Sequence, residues 1–235
     1  LNVGAPNGAG IVAIDAASGK LLWKTLNDGA SYSSPVLQTF AGTQRAVFIT
    51  RNHLISLSPS SGKIDWKLMF SPAMQSSVSG SAPIIAGDVI FTTASYGAGA
   101  KTVIITTEGP RILWKNDDSL SSHYHTPLLV DGHLYGFHGR LDTGPPAEFR
   151  CVELKTGQVK WKNSRVDAGA IIGIGNEILI LTVNGQLLRG SVSPSGYTEM
   201  GRKQVLGFNV RAHPALAENR FYARDESKLV CILLQ

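Results

Sequence analysis

The chain has 235 residues, of which 43% are hydrophobic and 17% are charged, and its net charge is +5. This composition excludes a disordered or coiled-coil chain, and the length is sufficient for a substantial buried core. No apolar run reaches the roughly 18 residues of a membrane span, and Lys and Arg are scattered along the chain. The sequence therefore predicts neither a transmembrane segment nor a nucleic-acid-binding face.

Short apolar runs follow one another along the whole chain. β-Branched and aromatic residues dominate them, and Gly, Asn, Asp or Pro separates them, which is typical of β-strands. No helical period is present. In four-stranded units lettered A to D, the predicted strands are B to D at 1–4, 11–15 and 20–25; A to D at 34–38, 46–50, 54–58 and 63–68; A to D at 82–86, 89–93, 101–106 and 111–115; A to D at 126–130, 133–137, 149–154 and 159–162; A to D at 170–174, 177–182, 186–192 and 197–204; and A to C at 214–217, 220–223 and 228–233.

A strand–turn–strand motif that ends in Trp recurs in these units. Its first copy runs from Ala13 to Trp23, and one later copy has an extra residue in the turn. The four Trp residues are 43, 48 and 47 positions apart, and a period in the forties with four short strands is that of a β-propeller blade. A degenerate fifth copy has Ser195-Gly196 in the turn and Met200 at the place of Trp. The motif residues are Trp23, Trp66, Trp114, Trp161 and the turn glycines Gly19, Gly62 and Gly157.

The sequence thus predicts an all-β protein, a β-propeller of four-stranded antiparallel blades with about five to six blades in this chain. We expect one domain over residues 1–235, and two arrangements stay open. In the first, which we favour, the chain is an N-terminally incomplete part of a seven- or eight-bladed ring. In the second, the strand at 20–25 supplies the D strand of the last unit and closes a five-bladed ring.

Two cysteines, Cys151 and Cys231, occupy the same step of their repeats, in the third strand. Different blades carry them, so we expect no disulfide between them. We interpret both as buried apolar thiols.

The unit Ala-x-Asp-x-x-Ser-Gly-x-x-x-Trp at residues 13–23 resembles the tryptophan-docking repeat of the pyrroloquinoline quinone (PQQ)-like propeller family. The resemblance covers essentially the whole chain, although later copies relax the Asp position. It implies that each Trp packs against the neighbouring blade. The family includes PQQ-dependent dehydrogenases, and it also includes cofactor-free propellers such as the lipoprotein of the bacterial outer-membrane β-barrel assembly machinery.

The long connections of the predicted blades all fall on one face, at 69–80, 94–100, 116–125 and 138–147, and long loops on one face are where binding normally occurs. The candidate ligand-binding residues there are His123, Tyr124, His125, His138, Arg140 and Asp142. His123, His125, His138 and Asp142 could surround a cation, but we favour hydrogen-bonding loop histidines and predict no metal site. A Ser-His-Asp nucleophile has its ingredients in Ser122, His125 and Asp142 but no nucleophile elbow, so we predict no catalytic residue.

Two functions follow from the resemblance. We favour a non-catalytic scaffold of the bacterial cell envelope that binds a protein or an envelope polymer, with no cofactor. The alternative is a fragment of a PQQ-dependent alcohol or sugar dehydrogenase. That alternative requires PQQ, Ca²⁺ and an adjacent Cys-Cys pair, and the chain has no such pair. The resemblance also implies a periplasmic or secreted location. Because no signal peptide is visible at Leu1, we expect an export signal upstream.

Overall fold

The computed structural model describes residues 1–74, 79–142 and 144–234, which form 22 strands and, over these ranges, no helix. None of the described residues therefore forms a helix that could cross a membrane. The strands are β1 (Asn2–Ala5), β2 (Ala9–Ile14) and β3 (Leu21–Thr25); β4 (Val36–Phe40), β5 (Thr43–Ile49), β6 (His53–Leu57) and β7 (Ile64–Met69); β8 (Ile84–Ala86), β9 (Val89–Ala94), β10 (Gly99–Thr106) and β11 (Gly109–Asn116); β12 (Leu128–Val130), β13 (His133–His138), β14 (Glu148–Glu153) and β15 (Val159–Asn163); β16 (Gly169–Ile174), β17 (Glu177–Thr182), β18 (Gln186–Ser193) and β19 (Gly196–Gln204); and β20 (Ala215–Ala217), β21 (Arg220–Arg224) and β22 (Leu229–Leu233).

These strands form six consecutive antiparallel sheets, as propeller blades do. The first and last sheets have three strands and the four between them have four strands, always in chain order. The predicted strands are confirmed, and their bounds shift by only a few residues. In the first sheet β3 pairs with β2, and in the last sheet β22 pairs with β21. The choice between part of a larger ring and a five-bladed ring stays a prediction.

The chain forms two compact units. The first comprises Leu1–Thr126 and Leu154–Gly157, and the second comprises Pro127–Glu153 and Gln158–Gln235. Each unit has its own buried clusters, which the inner strands of its sheets supply because neighbouring sheets cover both of their faces. A single domain over residues 1–235 stays a prediction.

A β-bulge precedes the Trp of each motif. In the first sheet Leu21 lies opposite Ile14 and Trp23 lies opposite Ala13, so that Leu22 is the extra residue. A bulge bends its strand and re-aims the next side chain, which here is the indole. The extra residue of the other three copies is Asp65, Leu113 and Lys160.

The same bulge corrects the assignment of the fifth copy. Glu199 lies opposite Gly190 and Gly201 lies opposite Arg189, so the extra residue is Met200, which is 58% exposed. Gly201, not Met200, therefore occupies the position of Trp. Gly201 follows its turn glycine, Gly196, by five positions, whereas Trp23 follows Gly19 by four.

The indole of one sheet packs on the turn glycine of the next sheet. A Cβ added to Gly62 would lie 2.5 Å from the ring of Trp23, whose Nε1 donates to the carbonyl of Pro59 at 3.0 Å. Gly157 and Trp114 repeat the arrangement with 2.7 Å to the ring. Both glycines have φ values above +70°, in the left-handed region that favours Gly. The docking that the resemblance implied is thus present in the structure.

Two members of the motif set lie differently. A Cβ added to Gly109 would meet nothing within 4 Å, so the turn with the extra residue offers no glycine platform to Trp66. Trp66 packs instead beside the buried cluster around Val47. Gly19 has the same left-handed φ as Gly62, but its added Cβ would also meet nothing within 4 Å.

The cysteine prediction is half right. Both thiols are free, and Cys151 is buried. Cys231 is exposed, which contradicts its interpretation as a buried thiol. The physical reason is its place in β22, an outer strand of its sheet, where a third-strand position lacks the cover that β15 gives to β14.

Docking gives a matched pair of substitutions. Gly62 and Gly19 share a φ of 71° and the same Ser-Gly-Lys context, so an added Cβ imposes the same backbone strain on both. Only Gly62→Ala also forces a methyl group into an indole. We expect it to lower the free energy of unfolding by about 1–3 kcal/mol more than Gly19→Ala. Urea denaturation followed by circular dichroism measures the difference, and equal losses would contradict the docking contact.

Candidate functional site

Four rings gather on the long loops of the first unit. The Tyr96 hydroxyl lies 2.8 Å from Nε2 of His123, and the centroids of the two rings are 5.3 Å apart. The rings of His123 and Tyr124 follow at 4.9 Å, and those of Tyr124 and His125 at 4.4 Å. The structure thus brings three predicted residues, His123, Tyr124 and His125, together with Tyr96 in one row, which we call the ring row.

Buried hydroxyls fix the two loops that carry this row. Thr93 at the end of β9 donates to the carbonyl of Leu120 and accepts from the backbone N–H of Ser122. Ser121 donates to the carbonyl of Ala94 at 3.0 Å. Since β9 leads directly to Tyr96, whose φ is +61°, these bonds hold the two halves of the ring row in a fixed relation.

A fifth aromatic residue, Tyr32, is linked to the ring row through one short segment. Its backbone N–H donates to the carbonyl of Ser79 at 3.0 Å, and a Cβ added to the next residue, Gly80, would lie 2.9 Å from Cβ of Tyr124. One short segment therefore contacts both tyrosines. The Tyr32 side chain is 81% exposed.

Sequence reasoning missed Tyr32 although a signal was present. Tyr32 and Tyr124 both stand three residues before the proline that precedes an A strand, Pro35 and Pro127. Equivalent positions of a repeat lie at equivalent places in the fold, so this spacing could have paired them.

The other three predicted residues, His138, Arg140 and Asp142, belong to the second unit. Arg140 and Asp142 form a bidentate ion pair, with 2.9 Å from Nε to Oδ1 and 2.8 Å from Nη2 to Oδ2. His138 ends β13 opposite Glu148. A hydrogen bond from Arg150 lowers the pKa of Glu148, and the charge of His138 contributes less.

No group of three or more His, Cys, Asp or Glu side chains within residues 1–74, 79–142 and 144–234 is placed to hold a metal ion. The predicted loops at 69–80 and 138–147 include residues 75–78 and 143, which lie outside the described residues. The two histidines of the ring row, His123 and His125, contact the rings of Tyr96 and Tyr124.

A buried carboxylate also joins two connections of the first unit, and sequence reasoning missed it. Asp28 follows β3, and its carboxylate accepts from Thr50 Oγ1 at 2.6 Å and from Asn52 Nδ2 at 2.6 Å, while Nδ1 of His53 lies 2.8 Å away. Burial alone would raise the pKa of Asp28, but these hydrogen bonds outweigh it and lower the pKa. Asp28 therefore holds the β3–β4 and β5–β6 connections together.

Comparison with known proteins decides the family. A family model described as "Outer membrane protein assembly factor BamB" matches residues 2–163. The chain belongs to this BamB family. An outer membrane protein assembly factor BamB from Yersinia pestis is 25% identical over 218 residues, which cover 86% of this chain and 51% of the relative. The chain thus spans about half the length of that relative.

Two solved structures place the BamB-family chain among propellers. BamB from Moraxella catarrhalis has a TM-score of 0.70 at 14% identity, over 93% of this chain and 64% of that one. A quinohemoprotein alcohol dehydrogenase from Comamonas testosteroni has a TM-score of 0.57 at 14% identity, over 83% of this chain and 40% of that one. At such identities these structures establish the fold alone. The predicted fold class, the PQQ-like β-propeller, is confirmed.

The described residues do not fit the PQQ site that the dehydrogenase alternative requires. Cys151 is buried in β14 and Cys231 is exposed in β22, so the two thiols form no adjacent pair. Trp23 and Trp114 each donate Nε1 to a carbonyl in a turn and lie against a turn glycine, so the docking motif already uses these two indoles.

The Asp28 network predicts a particular pH dependence of stability. Because the pKa of Asp28 is lowered on folding, the network stabilises this BamB-family chain above the unfolded Asp pKa of about 3.9, and this stabilisation is lost as the pH falls through the folded pKa. We expect Asp28→Asn to lower the free energy of unfolding at pH 7 by about 1.5–3 kcal/mol, and the gap to the parent to narrow in acid.

Urea denaturation at a series of pH values between 7 and 2 measures this gap. Asp88→Asn, at an exposed residue of the β8–β9 turn, is the matched control and should leave stability nearly unchanged. A gap for Asp28→Asn that stays constant down to pH 2 would contradict the role of the carboxylate.

Proposed function

We propose that this chain is a non-catalytic binding scaffold that works in the assembly of outer membrane proteins, and that it holds a protein partner on the ring row and Tyr32. The family match supports this proposal, because the family model and the relative are both described as an outer membrane protein assembly factor. The chain covers about half of such a relative, so the proposal concerns the part of the scaffold that these residues build.

The ring row with Tyr32 is the observation that carries the proposal. Tyr side chains supply a large apolar area together with a polar tip, and they are enriched among the residues that dominate protein interfaces. Tyr32 exposes 81% of its surface, and the segment of Ser79 and Gly80 links it to Tyr124, whose loop is held by buried hydroxyls. A surface fixed in this way loses little conformational entropy when a partner binds.

The chemistry of the surface indicates what it would bind. Tyr hydroxyls both donate and accept hydrogen bonds, and a neutral imidazole does the same with its two nitrogens. Aromatic faces fit apolar and aromatic side chains. A polypeptide segment that alternates apolar and polar side chains, as strands of outer membrane proteins do, offers both kinds of contact.

The process also suggests the place and the cofactor requirement. A factor for outer membrane proteins works in the bacterial cell envelope, so we propose a periplasmic location for this chain. We also propose that it needs neither PQQ nor Ca²⁺, because its two thiols do not form the adjacent Cys-Cys pair that the alternative requires.

Photo-cross-linking tests the partner surface. The chain is exported to the periplasm of a Gram-negative host with a photoreactive phenylalanine analogue at residue 32 or 124, and at residue 208 as the control. Phe208 is 79% exposed in a loop of the second unit. We expect light-dependent adducts with envelope proteins at 32 and 124 only, and the combined Tyr32→Ala and Tyr124→Ala changes to weaken binding of the identified partner about tenfold or more. No adduct at 32 and 124, or equal adducts at 208, would contradict the proposal.

A titration with PQQ and Ca²⁺ tests the cofactor part separately. We expect the intrinsic Trp fluorescence of the chain to show no saturable quenching by PQQ at micromolar concentration. A folded sample, established by circular dichroism, is the necessary control. Saturable quenching that depends on Ca²⁺ would favour the dehydrogenase alternative instead.

A further inference from the structure

A groove of about 430 Å³ lies in the second unit between β15 and the β18–β19 hairpin. Its volume is within the range of small-ligand sites. It shares no residue with the ring row, which belongs to the first unit, so a ligand here is independent of the proposed function. The residues that line it are Trp161, Lys162, Asn163, Ser164, Arg165, Gly196 and Tyr197.

The groove exists because tryptophan docking is altered at this point. Gly62 and Gly157 lie directly against the indoles that dock on them, but a Cβ added to Gly196 would meet nothing within 4 Å. The turn before Gly196 has only two residues, since Ser193 pairs with Gly196. The shorter hairpin leaves space beside Trp161, whereas the second and fourth sheets place Gly62 and Gly157 against an indole.

Trp161 is nevertheless rigidly held. Its Nε1 donates to the carbonyl of Ser193 at 2.8 Å, and its ring meets Phe149 edge-on with centroids 5.2 Å apart. Tyr197, on the opposite wall, also packs edge-on against Phe149, at 5.4 Å. The indole N–H is already used, so Trp161 offers the groove an apolar aromatic surface in a fixed orientation.

The charge in the groove has one sign. Of the seven described residues that line it, Lys162 and Arg165 are cationic and none is a carboxylate. Both are exposed. Lys162 also slightly lowers the pKa of the nearby Glu148, whose main partner is the buried Arg150. Asn163 and Ser164 add polar groups between the two cations.

We propose that this groove binds a sugar ring that carries an anionic group, a carboxylate or a phosphate. The flat apolar face of a sugar ring fits the fixed indole of Trp161. Lys162 and Arg165 pair with the anionic group, and the Asn163 amide and Ser164 hydroxyl can bond to ring hydroxyls.

An extended acidic peptide fits this groove less well. Such a peptide would add to the outer edge of β15 through a ladder of backbone hydrogen bonds. The backbone N–H of Arg165 is already donated to Oδ1 of Asn163 at 2.8 Å, so a ladder along this wall would end there. The groove therefore offers a stacking surface and charges rather than a continuous strand edge.

Calorimetric titration of the full chain with trigalacturonate tests the proposal, with neutral maltotriose and hexaglutamate as comparison ligands. We expect saturable binding of trigalacturonate, which is at least about tenfold tighter than that of either comparison ligand because both the sugar and the charge are needed. Inorganic phosphate should compete weakly.

Two variants locate the site. Gly196 has no positive φ and open space at its Cβ, so Gly196→Leu fills the groove without backbone strain and should abolish binding. Gly201→Leu is the matched control, because Gly201 lies in the same strand and is equally open; it should bind as the parent does. Lys162→Ala combined with Arg165→Ala should weaken binding about tenfold to hundredfold.

Circular dichroism and thermal denaturation establish that each variant is folded. The proposal is overturned if the parent shows no saturable binding of trigalacturonate, or if Gly196→Leu binds it as tightly as Gly201→Leu. Equal or tighter binding of hexaglutamate would also overturn it, and would identify an acidic peptide as the ligand class.

Discussion

The contact between an indole and the turn of the next sheet is the interaction on which this structure depends. It requires a bulge that aims Trp, a carbonyl that accepts Nε1, and a turn residue without a Cβ, as in Trp23 with Gly62. Each docking contact joins only neighbouring sheets, which is the nearest-neighbour stabilisation typical of repeat proteins. The docking contacts involve the turns between the third and fourth strands of a sheet, so the long loops that carry the ring row take no part in docking. Those loops can therefore differ from blade to blade and carry binding residues, as the ring row does.

Much of the fold could be predicted from the sequence because the repeat is both local and periodic. The alternation within each strand, the turn glycines and the spacing of Trp23, Trp66, Trp114 and Trp161 are all visible without tertiary information. Gly201 was not identifiable as the Trp equivalent from sequence. The number of residues between the turn glycine and this position depends on the turn and the bulge, which only strand pairing reveals. The exposure of Cys231 depends on β22 being an outer strand, which pairing alone determines.

The candidate site was harder to predict, and the reasons lie in long-range contacts. His123, Tyr124 and His125 are adjacent in sequence, so their clustering was foreseeable, whereas Tyr96 joins them from another loop through one hydrogen bond. Asp28 had no motif of its own, because its partners come from a turn more than twenty residues later. The groove beside Trp161 arises because Gly196 does not contact the indole. Neither composition nor periodicity reveals that this contact is missing.

The distribution of tryptophan has an experimental consequence. The chain has four Trp residues, one each in β3, β7, β11 and β15, so the first four sheets each carry one indole fluorophore and the last two carry no Trp. Trp161 contacts the fifth sheet through its bond to Ser193 and through the buried cluster against which it packs. Loss of packing that begins in the last sheet would thus change the circular dichroism before it changes the emission. Anionic iodide should quench Trp161 preferentially, since Lys162 and Arg165 attract the quencher, and this makes one blade of the chain separately observable.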